Sequence, residues 1–193
     1  MRLFRALAEN NAWSNHRLLT AVTRLGDGEF KAPRTGFFPS LHATLNHILA
    51  VDLYYVDALT GGGLGPRAFD DFIASDKAEE LRQRQHQSDT RLIAFCDSLG
   101  CDSPGCDGPN RDGPDAGALA ATIATDRGAR GIFAERTDAL LLHLFTHQTH
   151  HRGQAHAMLS QTSVPPPQLD EFFLDFDAPL RRVEIETLGL GGI

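Results

Sequence analysis

The sequence predicts an all-α protein: a four-helix bundle with a small β-hairpin before its fourth long helix. Three observations carry this. Four separate stretches repeat apolar residues at helical spacing. Gly and Pro clusters punctuate the chain between them. The length, 193 residues, suits one domain with a substantial core, and four long amphipathic helices in such a chain make a bundle.

Taken in order, residues 2–25 form the first helix. Leu3, Leu7, Trp13, Leu18, Val22 and Leu25 recur at roughly helical spacing, and Gly26 is the stop. A loop through Pro33-Arg-Thr-Gly-Phe-Phe-Pro39 leads to Ser40, an N-cap for a second helix over 40–60 that Gly61-Gly-Gly63 ends. The third helix runs from Asp76 to Leu99, dense in Glu, Arg and Gln, with Leu81, Leu92, Ile93 and Phe95 as its apolar contacts. Residues 100–117 are rich in Gly, Pro, Asp and Asn and read as a loop. Residues 119–125 and 129–134 flank Asp126-Arg-Gly128, a hairpin turn signal, although alanine is a poor strand former. Thr137 or Asp138 caps the fourth helix over 137–161, and Pro165-Pro-Pro167 breaks the chain beyond it. Gln168 to Phe176 reads as a short helix or extended cap. The domain is expected over 1–177, with a poorly ordered tail over 178–193.

Composition excludes several function classes. A net charge of −7 argues against nucleic-acid binding, which needs a basic surface to neutralise phosphates. No apolar run has the length of a membrane span, and the N-terminal residues lack a signal-peptide pattern, so a cytoplasmic protein is expected. Cys96, Cys101 and Cys106 are odd in number and lack the tight C-x2-4-C pair of a zinc site. They read as reduced thiols in a loop, with a regulatory disulfide or adventitious metal capture as alternatives.

The chemistry concentrates in the fourth helix. Four of the nine histidines, His143, His147, His150 and His151, fall there within one short run. At about 100° per residue, His147 and His151 share a face one turn apart. That face is otherwise apolar, centred on Leu140, Leu144, Ala155 and Met158, while His143 and His150 fall at its polar edge. A lone His on an apolar face is usually a core residue bonded to backbone. Two at i, i+4 are harder to explain so, because each buried ring brings a donor and an acceptor to satisfy. The same spacing lets both reach one divalent ion. No Glu follows the first His, so the general base of a zinc protease is missing. In the second helix His47 shares a face with Ala43, Val51, Tyr54 and Ala58 and is the candidate third ligand, whereas His42, in the first turn, is expected at the surface. Arg152 points away from the apolar stripe and reads as a surface or salt-bridge residue. Gln154, at the stripe edge, is placed to hydrogen-bond a ligand ring. Asp52 is at the wrong helical angle to support His47 directly.

Together, "TLNHILAVD" in the second helix and "LLLHLFTHQTHHRGQAHAML" in the fourth resemble the DinB/YfiT-like superfamily of metalloenzymes, and "NAWSNHRLL" and "PPPQLDEFFL" fit the same pattern. The resemblance covers about residues 3–175. It implies an up-down-down-up bundle, often a homodimer, with damage-inducible expression in the family that gives it its name. It also implies a metal triad carried over to His47, His147 and His151, holding Zn or Ni. Characterised relatives transfer or isomerise with low-molecular-weight thiols, so a small thiol substrate is expected. Three His ligands leave an open coordination position, which suits thiol transfer to an electrophile or metal-assisted hydrolysis. The other class is a non-enzymatic metal-binding protein, in which His143 or His150 would close the site. A DNA-binding role is disfavoured by the acidic charge.

Overall fold

In the computed structural model, residues 3–100 and 116–191 are described. Four long helices dominate: α1 (Leu3–Val22), α3 (Leu41–Leu59), α5 (Ala78–Ser98) and α7 (Thr137–Leu159). Short helices α2 (Asp27–Lys31), α4 (Arg67–Asp70) and α6 (Ala116–Ala120) lie in the connections, and α8 (Ala178–Leu188) closes the chain. Strands β1 (Thr122–Asp126) and β2 (Ile132–Arg136) pair antiparallel, with Asp126 opposite Ile132.

Cross-helix contacts fix the topology. Arg5 meets Asp97 while Asn15 meets Asp89, so α1 and α5 run antiparallel. Thr44 meets Met158 while Asp52 meets Gln148, so α3 and α7 do too. Asp52 meets Gln85 while Thr60 meets Arg91, so α3 and α5 are parallel. This is the up-down-down-up bundle, with helices packed in the order α1, α5, α3, α7.

The core has two apolar layers. One gathers Leu18, Val22, Phe30, Leu41, Ile48, Leu81, Met158 and Leu159. The other gathers Phe4, Tyr54, Val56, Leu92, Cys96, Leu141 and Leu144. Between them sits a buried polar layer of Asn11, Asn15, Asp52, Gln85, Asp89, Gln148 and Arg152. Ser40 caps α3 as expected, its side chain accepting from Ala43 N at 3.1 Å. Gly61, at φ +71°, takes the left-handed conformation that turns the chain away after α3.

Several expectations need correction. Thr137 and Asp138 do not cap α7: Arg136 occupies the cap position without a side-chain bond, and the Thr137 hydroxyl donates instead to Ala121 O. Leu119 and Ala120 are helical, so the hairpin begins at Thr122 and turns through Gly128–Arg130. Cys96 is a buried residue of α5, not a loop thiol, and burial pushes its pKa up to about 12. Cys101 and Cys106, with most of the expected 100–117 loop, lie outside the described residues. The stretch 168–176 is irregular except for a single turn of 3-10 helix from Asp175. Ala178–Leu188 is a helix rather than a poorly ordered tail. Arg17 docks this region on α1 by bonding Glu171, Glu184 and the carbonyls of Gln168 and Leu180. Phe172 also packs on Trp13, with ring centroids 5.5 Å apart. No helix among the described residues is long and apolar enough to cross a membrane.

Candidate metal centre

The three histidines singled out by pattern converge. His47 comes from α3 and His147 and His151 from successive turns of α7, and one ring nitrogen of each lies within 4.8 Å of the others. The antiparallel α3–α7 seam makes this meeting. It places the middle of α3 against the middle of α7, where an i, i+4 pair presents both rings to the neighbouring helix.

The geometry suits a shared cation. His47 Nε2 and His147 Nε2 face each other at 3.1 Å. Two imidazoles on one tetrahedral ion, at bond lengths of about 2.0–2.1 Å, hold their nitrogens roughly 3.3 Å apart. Burial, with the surrounding imidazoles, drives the pKa of His147 down to about 3. Burial and the neighbouring His151 also lower that of His47. Both rings are therefore neutral at physiological pH, the state in which imidazole can ligate. Among the described residues no carboxylate or thiol joins the group. These residues fit a divalent ion.

The surroundings orient and cover the rings. Gln154 Oε1 accepts from His151 Nδ1 at 2.9 Å, which leaves His151 Nε2 with a free lone pair. The other end of the same amide donates to His150 Nε2 at 3.0 Å. The hydrogen bond read for Gln154 is thus present, and the same amide engages His150 as well. His150 and His143 are exposed, at the rim, as their helical angle requires. His42 departs from expectation: it is half-buried, with Phe30 edge-on at 5.3 Å.

Sequence reasoning missed two features. The loop before Ser40 folds over the triad, so that the Phe38 ring lies 4.4 Å from that of His47 and 5.6 Å from that of His151. Gly36 permits this approach, since a Cβ there would fall 2.1 Å from the Met158 methyl. The Phe-Phe pair within a Pro-bounded loop was the signal available. The second is an aromatic and cationic wall toward the hairpin. The His143 ring lies 5.1 Å from Tyr55, and the Tyr55 hydroxyl accepts from Arg127 at 3.1 Å. Arg127 also lies over both Tyr54 and Tyr55, 5.4 Å from each ring.

Arg152 corrects a further expectation. It is buried rather than at the surface, and its Nη1 donates to Asn11 Oδ1 at 2.8 Å and Asn15 Oδ1 at 3.0 Å. Asp52, as its angle implied, does not support His47. It accepts instead from Gln85 and, across the seam, from Gln148.

Comparison with known proteins agrees with this architecture. The profile of the DinB family matches residues 2–108 and 122–183. Protein DinB of Bacillus subtilis (strain 168) is 23% identical over 164 residues, covering 85% of this chain and 88% of that one. The chain belongs to the DinB family.

Proposed function

We propose that this DinB-family chain is a metal-dependent enzyme whose His47, His147 and His151 hold one divalent ion, Zn or Ni, and that it transfers a small thiol to an electrophilic substrate. The observation that carries the reading is the ligand set itself: three ring nitrogens within 4.8 Å, with no fourth His, Cys, Asp or Glu in the group among the described residues. A three-ligand set leaves a position for an exogenous group, as catalytic sites do and closed structural sites do not.

When bound there, a divalent ion lowers the pKa of a coordinated thiol and so makes a thiolate available at neutral pH. The chain's own residues supply the rest. Neutral imidazoles add no negative charge to the site, so an anionic sulfur is favoured over a neutral one. Gln154 fixes the tautomer and ring plane of His151. Phe38 covers two of the three rings and limits water at the nucleophile. The sulfur then forms a bond to carbon of the electrophile, whose leaving group departs with the electron pair. Cys96 takes no part, being buried and held as the thiol.

The test is a conjugation screen on Zn-loaded protein purified without an affinity tag, with a panel of low-molecular-weight thiols and electrophiles. A Cys96→Ser, Cys101→Ser, Cys106→Ser variant should retain the activity and His47→Ala should lose it. Turnover that needs no added thiol, or that survives His47→Ala, would overturn the reading.

A further inference from the structure

The polar layer at the middle of the bundle holds two carboxylates and one guanidinium, all out of water: Asp52, Asp89 and Arg152 are 2%, 3% and 6% exposed. If both carboxylates were ionised, the layer would carry a net negative charge that nothing else in it offsets. Asn11 and Asn15 from α1, Gln85 from α5 and Gln148 from α7 are all neutral. An uncompensated buried charge is costly, and a buried acid avoids that cost by keeping its proton.

The hydrogen bonds say which acid keeps it. Asp89 is solvated as an anion should be: Asn11, Asn15 and Gln85 all donate to Oδ1, and Asn15 also reaches Oδ2. Asp52 is not. Its Oδ2 accepts from Gln85 at 2.7 Å and from Gln148, while its Oδ1 is buried with no partner. Gln148 Oε1, on the amide already joined to Asp52, is also a buried acceptor with no partner. Two orphaned acceptors on two side chains already in contact lack one thing, a proton.

We infer that Asp52 is a neutral carboxylic acid in the folded protein at neutral pH, and that its proton completes an acid–amide pair with Gln148 that fixes α3 against α7 beside the triad. Each partner then both donates and accepts, and the remaining Asp89 and Arg152 charges cancel. Burial and the neighbouring Asp89 both push the Asp52 pKa well up, in the same sense. Gln148 directly follows His147, and Asp52 lies on the helix that carries His47. The pair therefore sets the register at which the two helices present their imidazoles. Asp52 is a positioning residue.

The proton can be seen without any metal. Infrared spectra of the metal-free protein at about pH 8, where an ordinary Asp is fully ionised, should show a protonated-carboxyl C=O stretch. That stretch should be absent from Asp52→Asn. An absent band, or one that survives Asp52→Asn, overturns the inference. Asparagine reproduces a neutral acid's donor and acceptor, so metal-free Asp52→Asn should melt close to wild type and Asp52→Ala well below it. An Asn variant as unstable as the Ala variant would also overturn it. The register claim rests on the metal reading above and is read by zinc competition. Asp52→Asn should match wild type, while Gln148→Ala should weaken binding roughly 10–100-fold, as loss of supporting contacts does. If wild type itself binds no zinc, that reading fails while the infrared band and the melting order still decide the state of Asp52. If Gln148→Ala binds like wild type, the positioning role fails.

Discussion

The Nε2 atoms of His47 and His147 lie 3.1 Å apart although the residues are 100 positions apart in the chain. At that distance two neutral imidazoles share either a proton, as an N–H···N bond, or a cation, and His151 completes a three-nitrogen set from the next turn of α7. Replacement of His147 or His151 by Ala should therefore abolish stoichiometric zinc, since two ligands do not retain the ion. His143→Ala should leave it nearly intact, because His143 is exposed and outside the group. Metal content after dialysis is the measurement. Equal loss in all three variants would point to a closed four-histidine site.

Gln154 should act on the metal through His151. Its Oε1 holds His151 Nδ1–H at 2.9 Å and so dictates which nitrogen faces the site. Gln154→Leu keeps the side chain's bulk but removes that acceptor, and zinc affinity should fall roughly 10–100-fold. Gln154→Glu, which still accepts from Nδ1–H, should recover most of it. Competition with a chromophoric chelator separates the two, and identical affinities in both variants would count against the contact.

Burial raises the pKa of Asp89 to about 6. The folded protein then binds more protons at this site than the unfolded chain does between about pH 4 and pH 6. The contribution of Asp89 to stability is fully present below that window and is lost as pH rises through it. Denaturation of metal-free wild type and Asp89→Asn should show the difference between them moving in favour of the variant from about pH 4 to pH 6. The histidines are common to both proteins and cancel. A pH-independent difference would show that Asp89 titrates normally.

Much of this was legible in the sequence because it is local. Helix periodicity, the Ser40 cap and the Gly61 stop are read within a few residues, and so is the i, i+4 pairing of His147 and His151. His47 could be placed on a packing face, but its meeting with α7 came only from the family resemblance. The polar layer was not legible. Asn11, Asn15, Asp89 and Arg152 look like surface positions of amphipathic helices until their partners are known, and Arg152 meets Asn11 across 141 positions. Nothing local marks such a contact. Helix α8 was hidden by its Gly-rich end, and it is held by Arg17 of α1 rather than by its own pattern. Phe38 escaped for a similar reason, since a loop residue's neighbours depend on where the loop is laid.

X-ray absorption at the zinc edge tests the central claim most directly. Loaded with one equivalent of zinc and without thiol, the protein should show three imidazole nitrogens at about 2.0–2.1 Å and one further light atom. Addition of a small thiol should replace the light atom with a sulfur shell at about 2.3 Å, in wild type and in the triple Cys→Ser variant alike. Four imidazoles with no sulfur at any thiol concentration would contradict the account and make the metal a structural tie between α3 and α7.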